Sequence, residues 1–175
     1  MLFMPRQESN SLSDDPASPY LIRAARVADR ESIGDLWLDL MEYHRERDPR
    51  FKIGADARTK YIRNVQEMIR MRECRVLVAE NRETGELVGY VTAETKHYAP
   101  VTIAGLYGAI SDFYVSPLHR RHALGKRMAE EVFRWMHEKK CVAVQLNVAE
   151  ANPEGQAFWA AMGMEPFLRL LHKTF

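Results

Sequence analysis

The sequence predicts an α/β (α+β) fold built on a mixed sheet, and three observations carry that expectation. Apolar runs of strand character and stretches of helical period follow one another as strand, two helices, three strands, helix, strand, helix, strand. Asn81-Arg82-Glu83-Thr84-Gly85-Glu86 separates two of the strand runs as a hairpin turn does. Between the strand ending at Val115 and the strand starting at Cys141 lies a helix of crossover length, so those two strands should run parallel.

Residues 1–19 turn polar after the first four and are rich in Ser, Asp and Pro, which reads as a flexible arm ahead of one domain over 20–175. Leu21-Ile22-Arg23 opens the first strand. Asp29 is a candidate N-cap for a helix with Ile33, Leu36, Trp37, Leu40 and Met41 on one face, ending before Pro49. A second helix is expected from Asp56 to Met71. Strands over Arg75–Glu80 and Leu87–Lys96 form the hairpin, and residues 97–107, with Pro100 and Gly105, form a loop. Ala109–Val115 reads as a buried strand. A helix follows over Leu124–Lys139, with Leu124, Met128, Val132, Trp135 and Met136 on one face. Cys141–Val148 is β-branched and apolar, as buried parallel strands are. Asn152 and Pro153 make an N-cap and first-turn pair, Gly163 ends that helix, and Phe167–Phe175 is expected as a last strand.

A chain of 175 residues is long enough for one domain with a real core. A net charge of +1 argues against a dedicated nucleic-acid binder or a polybasic membrane binder. Cys74 and Cys141 make neither a disulfide framework nor a zinc site, and no other metal site is expected. A reduced, cytoplasmic setting fits. The Met1–Met4 apolar start is too short for a signal-peptide core, and no apolar run reaches the ~20 residues that span a bilayer.

The stretch Gly108–Met128 organises the rest. A strand, then Pro117 and the basic cluster His119-Arg120-Arg121-His122, then small residues opening a helix, is the layout of an anion site. The first amides of a helix have no carbonyl partner, and the helix dipole adds positive charge there. A phosphate satisfies both.

Arg120-Arg121-His122-Ala123-Leu124-Gly125 resembles the acetyl-CoA loop of the GNAT N-acetyltransferases, Gln/Arg-x-x-Gly-x-Gly/Ala, and Asp112-Phe113-Tyr114-Val115 resembles the strand before it. Ala123 stands where that family usually has its first Gly; it is expected to adopt helical angles without strain. A second block, Asn152 to Met164, resembles Asn-x-x-Ala-x-x-Phe-Tyr-x-x-x-Gly-Phe: Asn152, Phe158 and Gly163 match, while Gly155, Trp159 and Met164 depart. The resemblance runs from about Ile22 onward. It implies a mostly antiparallel sheet with a central parallel pair splayed at the cofactor site, and helices on both faces.

The resemblance further implies acetyl transfer from acetyl-CoA to a primary amine of a small molecule, peptide or protein, by direct attack, with no metal, no nucleic acid and no membrane, and with a homodimer allowed. Loop amides from Arg121 to Lys126, including those of His122, Ala123, Leu124 and Gly125, would take the pyrophosphate, with charge from Arg120, Arg121 and Lys126. Main-chain groups of Phe113, Tyr114 and Val115 would line the pantetheine arm, with Asn152 and Trp159 from the last helix. The Val115 amide is the oxyanion donor. Tyr43, His44 and Phe51 are candidate pocket residues for the acceptor. The family's strand Glu would fall at Ser111 or Ala109, neither of which can act as a base, so Glu94, Asp112 and His44 are the candidate bases. Trp159 replaces the family's Tyr beside the departing sulfur. These departures motivate the alternative, a catalytically weak CoA-binding module for sensing or interaction.

Overall fold

A computed structural model describes residues 15–99 and 105–174. Most of the expected arm and the middle of the expected 97–107 loop lie outside the described residues. The order is β1 (Tyr20–Ala24), α1 (Arg30–Arg47), α2 (Ala57–Arg70), β2 (Cys74–Asn81), β3 (Leu87–His97), β4 (Leu106–Val115), α3 (Leu124–Glu138), β5 (Cys141–Leu146) and α4 (Pro153–Ala161), with short 3-10 turns at Val27–Asp29 and Pro117–His119. The five strands lie side by side in chain order. The first three pairings are antiparallel and β4 pairs β5 in parallel.

Alternation of side chains across the sheet splits the core in two. On one face, Ile33, Leu36 and Leu40 of α1 and Val65 of α2 pack with Val76, Val78, Tyr90 and Tyr114. On the other, Leu124, Met128, Val132, Trp135 and Met136 of α3 and Trp159 of α4 pack with Leu77, Ala79, Val91, Ala93, Ile110 and Val115. The helical face read from the α3 sequence is the buried one. Truncating a fully buried side chain such as Met128 to Ala would cost about 2–5 kcal/mol. Gly89 lets β3 and β4 approach closely, because a Cβ there would sit 2.9 Å from the Tyr114 carbonyl oxygen.

Two features of β4 shape the site. Thr92 pairs Asp112 and Ala93 pairs Ile110, so Ser111 is an extra residue in β4, a β-bulge. On the other edge, β4 pairs β5 only from Leu106↔Cys141 to Ile110↔Leu146. Beyond the bulge, residues 111–115 have no partner strand on that side among the described residues, which is the expected splay.

The strand expected over Phe167–Phe175 is not formed. Residues 164–174 carry no regular structure, and Phe167, Leu168, Leu170 and Leu171 are exposed; Phe175 lies outside the described residues. Strand propensity needs a ladder to act on, and after Gly163 the chain does not join β5. Cys74 and Cys141 are both free thiols.

Candidate active site

The wedge between β4 and β5 is the centre of the site. The Ser116 amide donates to the Val88 carbonyl of β3, 2.8 Å away. Strand alternation therefore turns the main-chain groups of Phe113 and Val115 toward the other edge, into the wedge. The Val115 carbonyl there accepts from Arg120 Nε at 2.9 Å. The Phe113 ring points to the α4 side, 5.1 Å from the Trp159 ring and 5.5 Å from that of Phe158. Tyr114 is buried on the opposite face, against α1, and its main chain pairs with Tyr90 of β3, so the expected contact of Tyr114 with the arm is not formed by its main chain.

The loop between β4 and α3 closes the wedge at its base. Arg121 (φ 65°) and Ala123 (φ 55°) are both left-handed. This corrects the expectation for Ala123, which is the N-cap of α3 and not in helical angles. Left-handed residues in such turns curl successive amides into a concavity that suits an anion, and an L-residue held there costs about 1–2 kcal/mol. The Leu124 side chain is buried in the core, so its amide alone can serve the loop. Gly125 presents its open side to Phe158 (3.4 Å from a Cβ) and Phe113 (3.7 Å), so a side chain there would enter that aromatic contact. His122 is exposed, with its ring 6.0 Å from that of Tyr20.

An open groove of about 510 Å³ runs along this loop, lined by Pro117, Arg120, Arg121 and Glu154. Glu154 escaped the sequence reading, since one acid in the first turn of a helix is ordinary. Its carboxylate lies 3.5 Å from Arg120 and accepts from the Tyr43 hydroxyl at 3.2 Å. Arg120 is thus committed to Val115 and Glu154, while Lys126 faces Glu130 at 3.7 Å on the exposed side of α3. Asn152 caps α4 through the Gly155 amide (2.9 Å) and accepts from Tyr43 (3.0 Å), so Tyr43 ties the end of α1 to the start of α4. Trp159 is buried among Phe113, Phe133 and Phe158.

On the α1 side of β4 the structure assembles a polar cluster. Asp112 Oδ2 accepts from Tyr61 and from Thr92 Oγ1, each at 2.9 Å, and the Thr92 hydroxyl accepts from the Asp112 amide at 3.1 Å. Burial raises the Asp112 carboxyl above the usual range, against these donors and the nearby His44. Tyr61 stacks on Trp37 at 4.5 Å, and burial beside the carboxylate pushes its phenol far above the ordinary value. His44 stacks on Phe51 at 4.8 Å. Burial, then Arg47, lowers its pKa, while the Asp112 charge acts in the opposite sense. Of the three candidate bases, His44 and Asp112 lie near enough for the charge of each to act on the other. Glu94 sits one side chain further along the same face of β3, ion-paired with Lys96 at 2.8 Å. Tyr61 and Thr92 were missed as site residues. The available signal was Asp112 itself, a carboxylate inside an apolar strand, which must find donors. Among the described residues no three His, Cys, Asp or Glu side chains cluster as a metal site, and no helix is long and apolar enough to cross a membrane.

A profile of the Acetyltransferase (GNAT) family matches residues 36–164. No curated protein sequence matches the chain. Among solved structures the chain is similar to a mutant Bacillus halodurans protein (20% identity, 89% of this chain and 99% of that one, TM-score 0.79). It is also similar to the aminoglycoside N-acetyltransferase AAC(6')-Iy in complex with CoA (17%, 89% and 94%, TM-score 0.69). A third similar structure is glucosamine-6-phosphate N-acetyltransferase from Arabidopsis thaliana (19%, 90% and 99%, TM-score 0.69). At these identities the likeness is one of fold.

Proposed function

Because the chain belongs to the Acetyltransferase (GNAT) family, we propose that it moves an acetyl group from acetyl-CoA to a primary amine of a small molecule, peptide or protein by direct attack. The observation that carries this reading is the wedge: β4 leaves β5 at Ile110↔Leu146, and a left-handed, basic loop opens α3 at its base. The residues present fit the cofactor. The amides from Arg121 to Lys126 receive the pyrophosphate, and Arg121 and Lys126 add charge. The Phe113 main chain would pair with an extended arm, and Phe113, Phe158 and Trp159 wall it. When bound, acetyl-CoA supplies an activated acetyl thioester.

The chain's own residues do the rest. His44 accepts the proton that the incoming ammonium must lose. Its lowered pKa keeps the imidazole neutral near pH 7, as a base must be. Asp112 stabilises the imidazolium by charge, and Tyr61 and Thr92 hold Asp112 in place. The Val115 amide donates to the carbonyl oxygen as it gains charge. The Trp159 side chain packs the arm and carries no proton to give near neutral pH, so the C–S bond breaks with CoA leaving as the thiolate, and the second proton shed by the nitrogen passes to solvent.

The test is thiol release from acetyl-CoA across a panel of amines, with products identified by mass spectrometry. Acetylated amine in step with thiol supports the reading. CoA binding without turnover would favour the sensing module, for which the Trp159 substitution and the Arg120–Glu154 pair speak. Arg121→Glu and Lys126→Glu should each weaken CoA binding at least tenfold in calorimetry. Unchanged affinity in both would move the site elsewhere.

A further inference from the structure

β1 begins against the loop that opens α3. Tyr20 is buried, its hydroxyl hydrogen-bonds His119 Nδ1 at 3.0 Å, and its ring lies edge-on to that of His119 at 5.6 Å. Ser18, two residues earlier, is clamped between α3 and the β2–β3 hairpin. Its Oγ accepts from Arg127 Nη1 of α3 at 2.5 Å and from the Tyr20 amide at 3.2 Å. Its carbonyl accepts from Arg82 Nε at 3.2 Å, and the Pro19 carbonyl accepts from the Arg82 amide at 2.9 Å.

The clamp holds more positive charge than it uses. Arg127 Nη2 is buried and meets no hydrogen-bond partner, and Arg127 forms no ion pair with a carboxylate among the described residues. A guanidinium nitrogen without an acceptor in the interior is costly, and the guanidinium fork is the shape that takes two oxygens of one phosphate. On the other side of the contact, the Ser18 oxygen serves as an acceptor in both bonds it makes, so its hydrogen is not what holds the clamp.

Ser18 is also within reach of an enzyme. It is half-buried, its neighbours Asp15, Pro16, Ala17 and Pro19 are exposed, and residues 15–19 form neither helix nor strand. A segment with no helix or ladder to break opens to an enzyme's cleft at little cost. Through Tyr20, whose ring lies 6.0 Å from that of His122, the same segment adjoins the basic loop.

We propose that Ser18 is a phosphorylation site and that its phosphoryl group docks on Arg127, near the start of α3. The Ser18 hydroxyl oxygen attacks the γ-phosphorus of a nucleoside triphosphate held by a serine kinase. The new O–P bond forms as the bond from that phosphorus to the β–γ bridging oxygen breaks. The nucleoside diphosphate leaves with the electron pair, and the hydroxyl proton passes to the kinase's base. Phosphoserine brings a charge of about −1.5 to −2 and strong acceptor oxygens. Two of those oxygens meet Nη1 and Nη2 of Arg127 together, which ties the segment to α3 more firmly than the neutral hydroxyl does. The added charge also stands beside the loop assigned to the pyrophosphate, so it weakens CoA binding by like-charge repulsion; this consequence alone rests on the cofactor reading above.

The experiment compares the full chain, prepared with phosphoserine encoded at position 18, with the unmodified chain. Docking should lower the second phosphate pKa, read by phosphorus NMR, from about 6 to below about 5. It should also raise the melting temperature by about 2–4 °C. Both effects should vanish in Arg127→Gln. Arg127→Lys, which keeps the charge without the fork, should retain part of the pKa shift and keeps the test decisive if the Gln variant folds poorly. A phosphate that titrates as in a free peptide, or a shift that survives Arg127→Gln, overturns the docking. Treated with ATP and a panel of serine kinases, the folded chain should gain a phosphate at Ser18, read by mass spectrometry; a chain that takes none there overturns the site. CoA affinity by calorimetry should fall at least about threefold on phosphorylation, and further at low salt. Unchanged affinity overturns that consequence, whereas an unmodified chain that binds no CoA counts against the cofactor reading and leaves the phosphoserine result to stand by itself.

Discussion

The Tyr61→Phe substitution tests the polar cluster at the hydroxyl that joins α2 to β4. It keeps the ring that stacks on Trp37 and removes only the hydroxyl that donates to Asp112 at 2.9 Å. A hydrogen bond to a charged acceptor contributes about 1.5–3 kcal/mol, and Asp112 retains only Thr92, so a loss of about 1.5–2 kcal/mol is expected at pH 7. The pH dependence is the sharper signature. Burial raises the folded-state pKa of Asp112, so the folded chain holds that proton more tightly than the unfolded one. Ionising it therefore lowers stability as pH rises from the unfolded value of about 3.9 through the folded value. The Tyr61 donor eases that ionisation, so its removal raises the folded pKa further. The cost of the substitution is complete above the folded pKa and shrinks as pH falls through it. Urea denaturation of both proteins between pH 4 and pH 8 measures this, with Asp112→Asn as background. In that background the Tyr61→Phe cost should become independent of pH. A wild-type cost below about 0.5 kcal/mol, or one flat with pH, would refute the assignment of a charged acceptor at Asp112.

Three further outcomes follow from the same geometry. The pH profile of kcat/KM should show an acid limb with its midpoint below the ordinary imidazole value of about 6.5, absent in His44→Gln. Because the Asp112 charge raises the His44 pKa, Asp112→Asn should move that limb to lower pH; loss of the limb there would make Asp112 the base. Ala123→Gly should raise stability by about 0.5–1 kcal/mol, the ~1–2 kcal/mol of left-handed strain less the ~0.4–1 kcal/mol that glycine adds to unfolded-state entropy. A loss of stability by denaturant titration would show that Ala123 is not left-handed in solution. Trp159→Phe should lower kcat less than tenfold while costing stability through lost contact with Phe113, Phe133 and Phe158. A thousandfold loss at unchanged KM for acetyl-CoA would show the indole N–H to be essential to the chemical step.

Much of this architecture was legible in the sequence because burial writes a period. Ile33, Leu36 and Leu40 in α1, and Leu124, Met128, Val132 and Met136 in α3, recur at helical spacing and are buried. Asn152 and Pro153 mark the start of α4 by cap chemistry alone, and the Asn152 cap is made. What stayed hidden depends on distant partners. Nothing local says that Tyr61, one apolar-face residue among several on α2, meets a carboxylate on β4. Nothing in Arg120 says that it turns to Val115 and Glu154. Ala123 gave no local sign of left-handed geometry, because the surrounding turn imposes that angle. The run from Phe167 has strand propensity, but propensity names no edge to pair with.

The bulge at Ser111 has a consequence for how this chain could evolve. One surplus residue bends β4 and increases its twist just where β5 departs. Ile110 and Asp112 already point to opposite sides of the sheet, as consecutive residues of a regular strand do. Deleting Ser111 would therefore leave every buried side chain in phase and let the ladder to β5 continue toward Val115. The shortened chain would gain hydrogen bonds and lose its cleft, becoming a sturdier protein with no place for a ligand. Selection for stability alone would remove this residue; a strand one residue too long survives only where its disorder of the sheet is useful.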